Sequence, residues 1–305
     1  MKEIVIITGA GGTLAKALAK KLENKYAIRF LTRTKKHENE FEWNIEKGII
    51  DENAFENVSH IIHLAGANIS EKKWTEERKK EIISSRVDSA QLILKALQKK
   101  NIQLKSFISA SAVGIYGAIT SEKIFKEDDQ KGNDFLSEVV IRWEKAADEF
   151  LEKGLAERVV KVRTSIVLSE KEGALKKMSV PVKFGIGSPI GSGRQYIPWI
   201  HIDDICSVFE FALKNENVSG AYNASAPQHT DNENLTKEIA EVLDKPLFMP
   251  NVPGFVMKLI FGELAVVLLE GSRTSSEKLQ NAGFQFKFPD LKNALEDLFK
   301  NNKLT

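Results

Sequence analysis

The residues best suited to chemistry lie near the start of the chain. The stretch "TGAGGTLA" (8–15) spaces Gly9, Gly12 and Ala15 three residues apart. The first glycine permits a tight turn, the second lets backbone N–H groups close on a pyrophosphate, and a small third residue lets a helix pack against its strand. Thr13 and Leu14 would head that helix. The turn stands between a β-branched run, "EIVIIT" (3–8), and a helix-spaced one (13–25). That context turns a weak glycine pattern into an expected nucleotide site, a plain glycine turn being the other reading. Further on, "LTRTKK" places Arg33 where a fold of this kind that prefers NAD ends its second strand with an acid. A guanidinium there favours a 2′-phosphate, so NADP(H) is expected over NAD(H). A third stretch, "SASAVGIYG" (109–117), brings two serines and a tyrosine to the end of an apolar run.

The elements that would position these residues alternate. Strand patterns fall at 3–8, 27–33, 60–66, 104–110 and 157–165, and helix patterns at 13–25, 74–100 and 135–153. Such alternation predicts an α/β fold, a Rossmann-type doubly wound parallel sheet, with ligands at the carboxyl ends of the strands. After about residue 170 the pattern changes: 184–204 reads as Gly- and Pro-rich loops, with helices near 204–214, 232–243, 254–269 and 289–300. The expected division is a nucleotide-binding core over 1–170, completed by segments near 200–225, and a smaller C-terminal substrate lobe over 171–305.

Composition excludes several classes. The 305 residues are 42% hydrophobic and 28% charged, as in an ordinary globular chain. The 44 basic and 42 acidic residues are interspersed, which supports neither a nucleic-acid nor a membrane-surface partner. The lone cysteine, Cys206, cannot form an intrachain disulfide, consistent with a cytoplasmic protein. The five histidines are scattered, so no metal site is expected. The apolar stretch 255–269 is interrupted by Lys258, Gly262 and Glu263 and reads as two short helices, not a membrane span.

Taken together, "TGAGGTLA", "HLAGANI", "WTEERKKEIISSRV", "SASAVGIYG", "DFLSEVVIRWE", "VRTSIVLS", "IGSGRQYIPWIHIDDI", "GAYNASAP" and "VLLEGSR" resemble the extended short-chain dehydrogenase/reductase superfamily, and within it the epimerase-like YfcH-like proteins. The resemblance runs along nearly the whole chain. It implies a bound nicotinamide dinucleotide, a small-molecule substrate, a characteristic C-terminal domain over about 250–300, and a monomer or homodimer. It would line the cofactor with Leu64, Ala65, Gly66, Ser109 and Ala110, and set Asn44 near the adenine. It places Ser111 at the position that polarises a substrate oxygen. Arg86 falls where typical members carry Asn, and would bind an anionic substrate or a cofactor phosphate. Arg163, Arg194, Trp199 and His201 match motifs lining the substrate side.

The chain departs from the superfamily at the proton-transfer pair. The usual Tyr-x-x-x-Lys is missing, because none of the four tyrosines (Tyr26, Tyr116, Tyr196, Tyr222) has Lys four residues on. With Glu144 set on the usual acidic residue of the helix, Leu136 and Val140 take the two positions. A lost acid/base forfeits about 10²–10⁴ in rate. Tyr116 and Glu138 are candidate replacements; alternatively, Tyr116 packs in a turn and Glu138 is an ion-paired surface carboxylate. Two functions stay open: an NADP(H)-dependent oxidoreductase or epimerase-like enzyme acting on a small polar metabolite, and a catalytically silent NADP(H) sensor.

Overall fold

In the computed structural model, which describes residues 2–300, the β-branched run at the start forms strand β1 (Ile4–Thr8), buried along nearly all its length. The glycine turn leads into helix α1 (Thr13–Leu22), which buries Ala15, Leu18 and Leu22 on one stripe. Strand β2 (Ala27–Thr32) follows, then β3 (Glu40–Asn44) and β4 (Ile49–Ile50). Strand β5 (Val58–His63) feeds helix α2 (Glu76–Lys100). The ends of α2 are signalled chemically: the Thr75 hydroxyl accepts the Arg78 N–H, Glu76 and Glu77 open the helix, and Lys99 and Lys100 close it before Asn101 turns left-handed.

Strand β6 (Ser106–Ala112) comes next, then β7 (Ile124–Phe125), α3 (Phe135–Glu152), β8 (Val159–Thr164) and β9 (Ile166–Leu168). Helix α4 (Ala174–Lys183), strand β10 (Trp199–His201), α5 (Ile202–Lys214) and β11 (Gly220–Ala224) follow. The remainder is α6 (Asn232–Val242), α7 (Gly254–Phe261), α8 (Val266–Leu269), β12 (Arg273–Thr274), α9 (Glu277–Asn281) and α10 (Leu291–Phe299).

The chain forms two compact units that interleave in sequence. The first comprises the chain up to Ile115, Glu138–Arg163 and Cys206–Tyr222; the second comprises Tyr116–Ser137, Thr164–Ile205 and the chain from Asn223 onward. The first unit is Rossmann-like. Its sheet has eight strands in the order β11-β8-β6-β5-β1-β2-β3-β4. The pairs β5–β6, β1–β5, β1–β2 and β2–β3 are parallel, and the short β4 pairs antiparallel to β3. Order reverses about β1, which makes the carboxyl ends of β1 and its neighbours the ligand-binding edge of such a sheet. Ile6, Ile61 and Phe107 pack with Leu97 of α2 and Phe150 of α3 in one core, where the Phe107 and Phe150 rings stack with centroids 3.7 Å apart.

In the second unit β9 pairs with β10 and β7 with β12, both in parallel. Its core joins Leu168, Trp199, Leu235, Leu291 and Leu295. Helix α4 was not visible in the sequence because Pro181 interrupts its pattern. It sits in the last turn, where the helix loses only one backbone bond before ending at Lys183. The stretch 255–269 does split in two, α7 and α8, with a single 3₁₀ turn at Gly262–Ala265 between them. Among the described residues no helix is long and apolar enough to cross a membrane, and no cluster of three His, Cys, Asp or Glu side chains could hold a metal ion.

Candidate functional site

The site is built on the carboxyl ends of β1, β5 and β6, all in the first unit. Gly9 turns the chain out of β1 with φ of 75°, a left-handed conformation that penalises any side chain. A Cβ at that position would stand 3.1 Å from the Leu64 carbonyl oxygen, so the turn passes close against the end of β5. The Gly12 N–H bonds back to the Gly9 carbonyl at 2.9 Å. No side chain caps α1. The backbone N–H groups of such a first turn are the arrangement that binds phosphate.

A buried relay holds the ends of β1 and β5 together. Ser89 of α2 donates to the Arg86 carbonyl at 2.9 Å, so its oxygen is left to receive the Nε2 proton of His63, 3.1 Å away. Nδ1 of His63 then accepts from the Thr8 hydroxyl at 3.1 Å. The Thr8 oxygen in turn accepts the N–H groups of Leu64 and Ala65, both at 2.9 Å. Each group in the chain is satisfied only if His63 is neutral. Complete burial enforces that state, drawing its pKa down to about 4. The relay fixes the backbone of Leu64 and Ala65, two of the residues expected to line a cofactor.

Arg86 lies beside Gly66, where a Cβ would come within 3.0 Å of the guanidinium carbon. The guanidinium sits over the Trp143 ring, 4.8 Å from its centroid. Nη1 donates to the Ile82 carbonyl at 2.9 Å. Nε is buried with no partner, and so is the neighbouring Trp143 Nε1. Burial, with the Arg78 charge nearby, pulls the Arg86 pKa down to about 10. Burying two donors without a partner is costly unless an acceptor binds.

At the end of β6, Ser111 is buried and donates to Glu144 Oε1 at 2.7 Å. Glu144, on α3, is gripped by Arg163 of β8 through two bonds, Nε to Oε1 at 2.8 Å and Nη2 to Oε2 at 3.0 Å. Burial alone would raise the Glu144 pKa. The Arg163 guanidinium and the Ser111 hydroxyl outweigh it and hold the carboxyl below its ordinary value. Ser111 therefore presents acceptor lone pairs, not the donor proton expected from the sequence, and Arg163 is committed to Glu144 and not held open for a substrate. Ser109, buried beside it, donates to the Ala110 carbonyl at 2.8 Å.

Arg33 stands exposed one residue past the end of β2. Asn44 closes β3 and its Oδ1 accepts the Lys47 N–H at 3.0 Å. Glu138 projects into solvent from α3 and pairs with Arg142 one turn on, at 2.6 Å. That i,i+4 pair gives it a surface partner and takes it out of the constellation around Ser111. Leu136 and Val140, on the same helix, bring no titratable group.

The remaining expected residues lie in the second unit. Tyr116 is buried, stacks on Phe125 at 4.9 Å and donates to Asn223 Oδ1 at 2.7 Å. It is packed as the aromatic of its turn. Trp199 is a core residue whose Nε1 donates to the Gln228 carbonyl at 3.0 Å. His201 is buried against Phe288, accepts the Asp203 N–H at 3.1 Å and sits 3.4 Å from Asp297. Arg194 alone of this group is exposed, on the loop before β10. Sequence reasoning missed His63, Thr8, Ser89 and Trp143. A histidine inside the apolar strand "HIIHLAG" was the one available signal.

Known proteins resemble this chain in sequence and in fold. Residues 5–137 match the NAD dependent epimerase/dehydratase family, and residues 252–298 match a domain of unknown function, DUF1731. The chain is 34% identical to the epimerase family protein YfhF of Bacillus subtilis over 98% of its own length and 99% of the relative. It is 37% identical to mouse epimerase family protein SDR39U1 over 78% and 81%. Among solved structures, human SDR39U1 with NADPH superposes with a TM-score of 0.86 at 29% identity, over 98% of this chain and 99% of that one. A nucleoside-diphosphate sugar epimerase from Corynebacterium glutamicum gives 0.79 at 26%, covering 99% of this chain and 60% of that one.

Proposed function

As the chain belongs to the epimerase family, we propose that it binds NADP(H) at the carboxyl ends of β1, β5 and β6 and acts as an oxidoreductase or epimerase-like enzyme on a small polar metabolite. The observation that carries the cofactor reading is Arg33, exposed just past β2 with no acid in the place where NAD-preferring folds put one. The uncapped first turn of α1 and the unpaired Nε of Arg86 suit a ligand that carries phosphates. The human relative was solved with NADPH, which supports the same choice. A nicotinamide dinucleotide bound here supplies hydride exchange.

The chain's own residues would orient the substrate. Ser111 donates its hydrogen bond to Glu144, so its lone pairs are suited to receive a hydrogen bond from a substrate hydroxyl. Arg194 is the candidate contact for an anionic group on the second unit. The same Ser111–Glu144 bond also favours the other reading, a sensor that binds NADP(H) without turnover, because no free proton carrier accompanies Ser111. Titrating NADPH and NADH against wild type and Arg33→Ala tests the cofactor. NADPH is expected to bind at least about tenfold tighter in the wild type, and the preference to vanish in the variant; equal wild-type affinities would sink it. Single-turnover oxidation of bound NADPH by a panel of sugar nucleotides, ketones and quinones separates enzyme from sensor.

A further inference from the structure

The second unit carries an apolar surface that its own core does not use. Phe184, Phe248, Phe255 and Leu259 are 71–79% exposed. They are brought together by the backbone. The Val252 N–H donates to the Pro189 carbonyl at 2.9 Å, the Gly191 N–H donates to the Val252 carbonyl at 2.8 Å, and the Ser188 hydroxyl bonds the Pro250 carbonyl. These bonds lay the strip that continues from Phe184 alongside the one that runs from Phe248 into α7. On α7, Met257 faces inward while Phe255 and Leu259, four residues apart, face out.

The charge on these strips is one-sided. Residues 174–186 and 245–261 contain five lysines, Lys176, Lys177, Lys183, Lys245 and Lys258, and no Asp or Glu, with Asp244 and Glu263 flanking the second strip. All five are exposed. Lys177 shares a face of α4 with Val180, three residues on, and Phe184 follows at the end of the helix. Lys183 reaches Glu170 outside the strips at 3.6 Å. Across the whole chain, 44 basic and 42 acidic residues nearly cancel, which hides this local excess.

We propose that this face docks the protein peripherally onto an anionic lipid surface, with Phe184, Phe248, Phe255 and Leu259 entering the interface and the lysines meeting the headgroups. Protruding aromatic and aliphatic side chains on lysine-bearing segments are the chemistry of interfacial binding. A second copy of the chain fits poorly. A two-fold contact sets a patch against itself, and here it would bring two lysine-rich strips together. The proposal is independent of the cofactor reading.

Flotation of the full chain with vesicles tests it, comparing phosphatidylcholine alone with phosphatidylcholine containing about 30% phosphatidylglycerol. Binding is expected to the anionic vesicles only, and to fall as salt rises from about 50 to about 500 mM. Phe255→Ser/Leu259→Ser should abolish it. Lys177→Gln/Lys258→Gln should weaken partitioning about 25-fold, at about fivefold per lysine. An unchanged circular dichroism melt shows that both exposed-site variants remain folded. Wild type that ignores anionic vesicles, or variants that bind as well as wild type, overturns the proposal. So does a concentration-dependent dimer in sedimentation that Phe255→Ser/Leu259→Ser dissolves, which would make a second copy the occupant.

Discussion

Ser111 and Glu144, 33 residues apart in the chain, meet at 2.7 Å with the serine as donor. The bond places the proton of the candidate site hydroxyl on the protein side, and Arg163 keeps its acceptor ionised. The stability of the cluster should show this. Glu144→Gln leaves Arg163 buried beside a neutral amide and is expected to cost about 3–5 kcal/mol in denaturant unfolding. Ser111→Ala removes one bond to a charged group and should cost about 1–2 kcal/mol. A Glu144→Gln loss as small as that of an exposed ion pair would show that the cluster is not structural.

His63 makes a pH prediction. Its native pKa is lowered to about 4 from the ordinary 6.5, so the folded protein holds it neutral. The unfolded chain takes up the proton first. The stabilisation is complete above pH 6.5 and is lost progressively as pH falls towards 4, by about 3 kcal/mol in all. Urea unfolding of wild type and His63→Gln across that window checks it. The variant should be less stable at pH 7, and the difference between the two should shrink as the pH drops.

Arg86 is expected to trade stability for binding. Its buried guanidinium has no carboxylate partner, so Arg86→Met should raise the stability of the ligand-free protein by about 1 kcal/mol. The same change should weaken NADPH binding about tenfold, since a charge-assisted contact to phosphate would be lost. Gly66→Ala, which crowds the guanidinium, should weaken binding in the same direction. Reduced stability together with unchanged affinity would assign Arg86 a purely structural role.

Gly271, in the "EGSR" segment, packs so closely within the second unit that a Cβ would run into the Tyr196 carbonyl. The nearby Arg273 lies over the Tyr196 ring at 4.6 Å and reaches Glu122. Gly271→Ala is therefore expected to destabilise the protein by about 3 kcal/mol or more, read as a lowered melting temperature or insoluble expression. A neutral result would mean that the chain shifts away from Tyr196 at little cost.

Much of the first unit was legible because its signals are local. The β-branched run before Gly9, the helix-spaced stripe after it and the long pattern over 74–100 each report on adjacent residues, and the structure keeps them as β1, the shorter α1 and α2. Strand β3 was missed: "EFEWN" is short and half-exposed, which leaves little apolar signal. Helix α4 was hidden by Pro181, because a proline reads as a break until neighbouring packing shows that it lies in a last turn.

The sequence by itself determined the strand–turn–helix that opens the fold, the basic residue after β2 and the lack of a Tyr-x-x-x-Lys pair. Only the tertiary structure decided how the polar groups are used. Glu144 takes its partners from β6 and β8, and His63 takes its own from β1 and α2, separations of 19 to 55 residues. A buried polar group must be satisfied by whatever the sheet order brings beside it, and no periodicity along the chain encodes that order. The lysine-bearing apolar face follows the same rule: two strips with ordinary local composition became one surface only when β-type bonds between 188–191 and 250–252 laid them side by side.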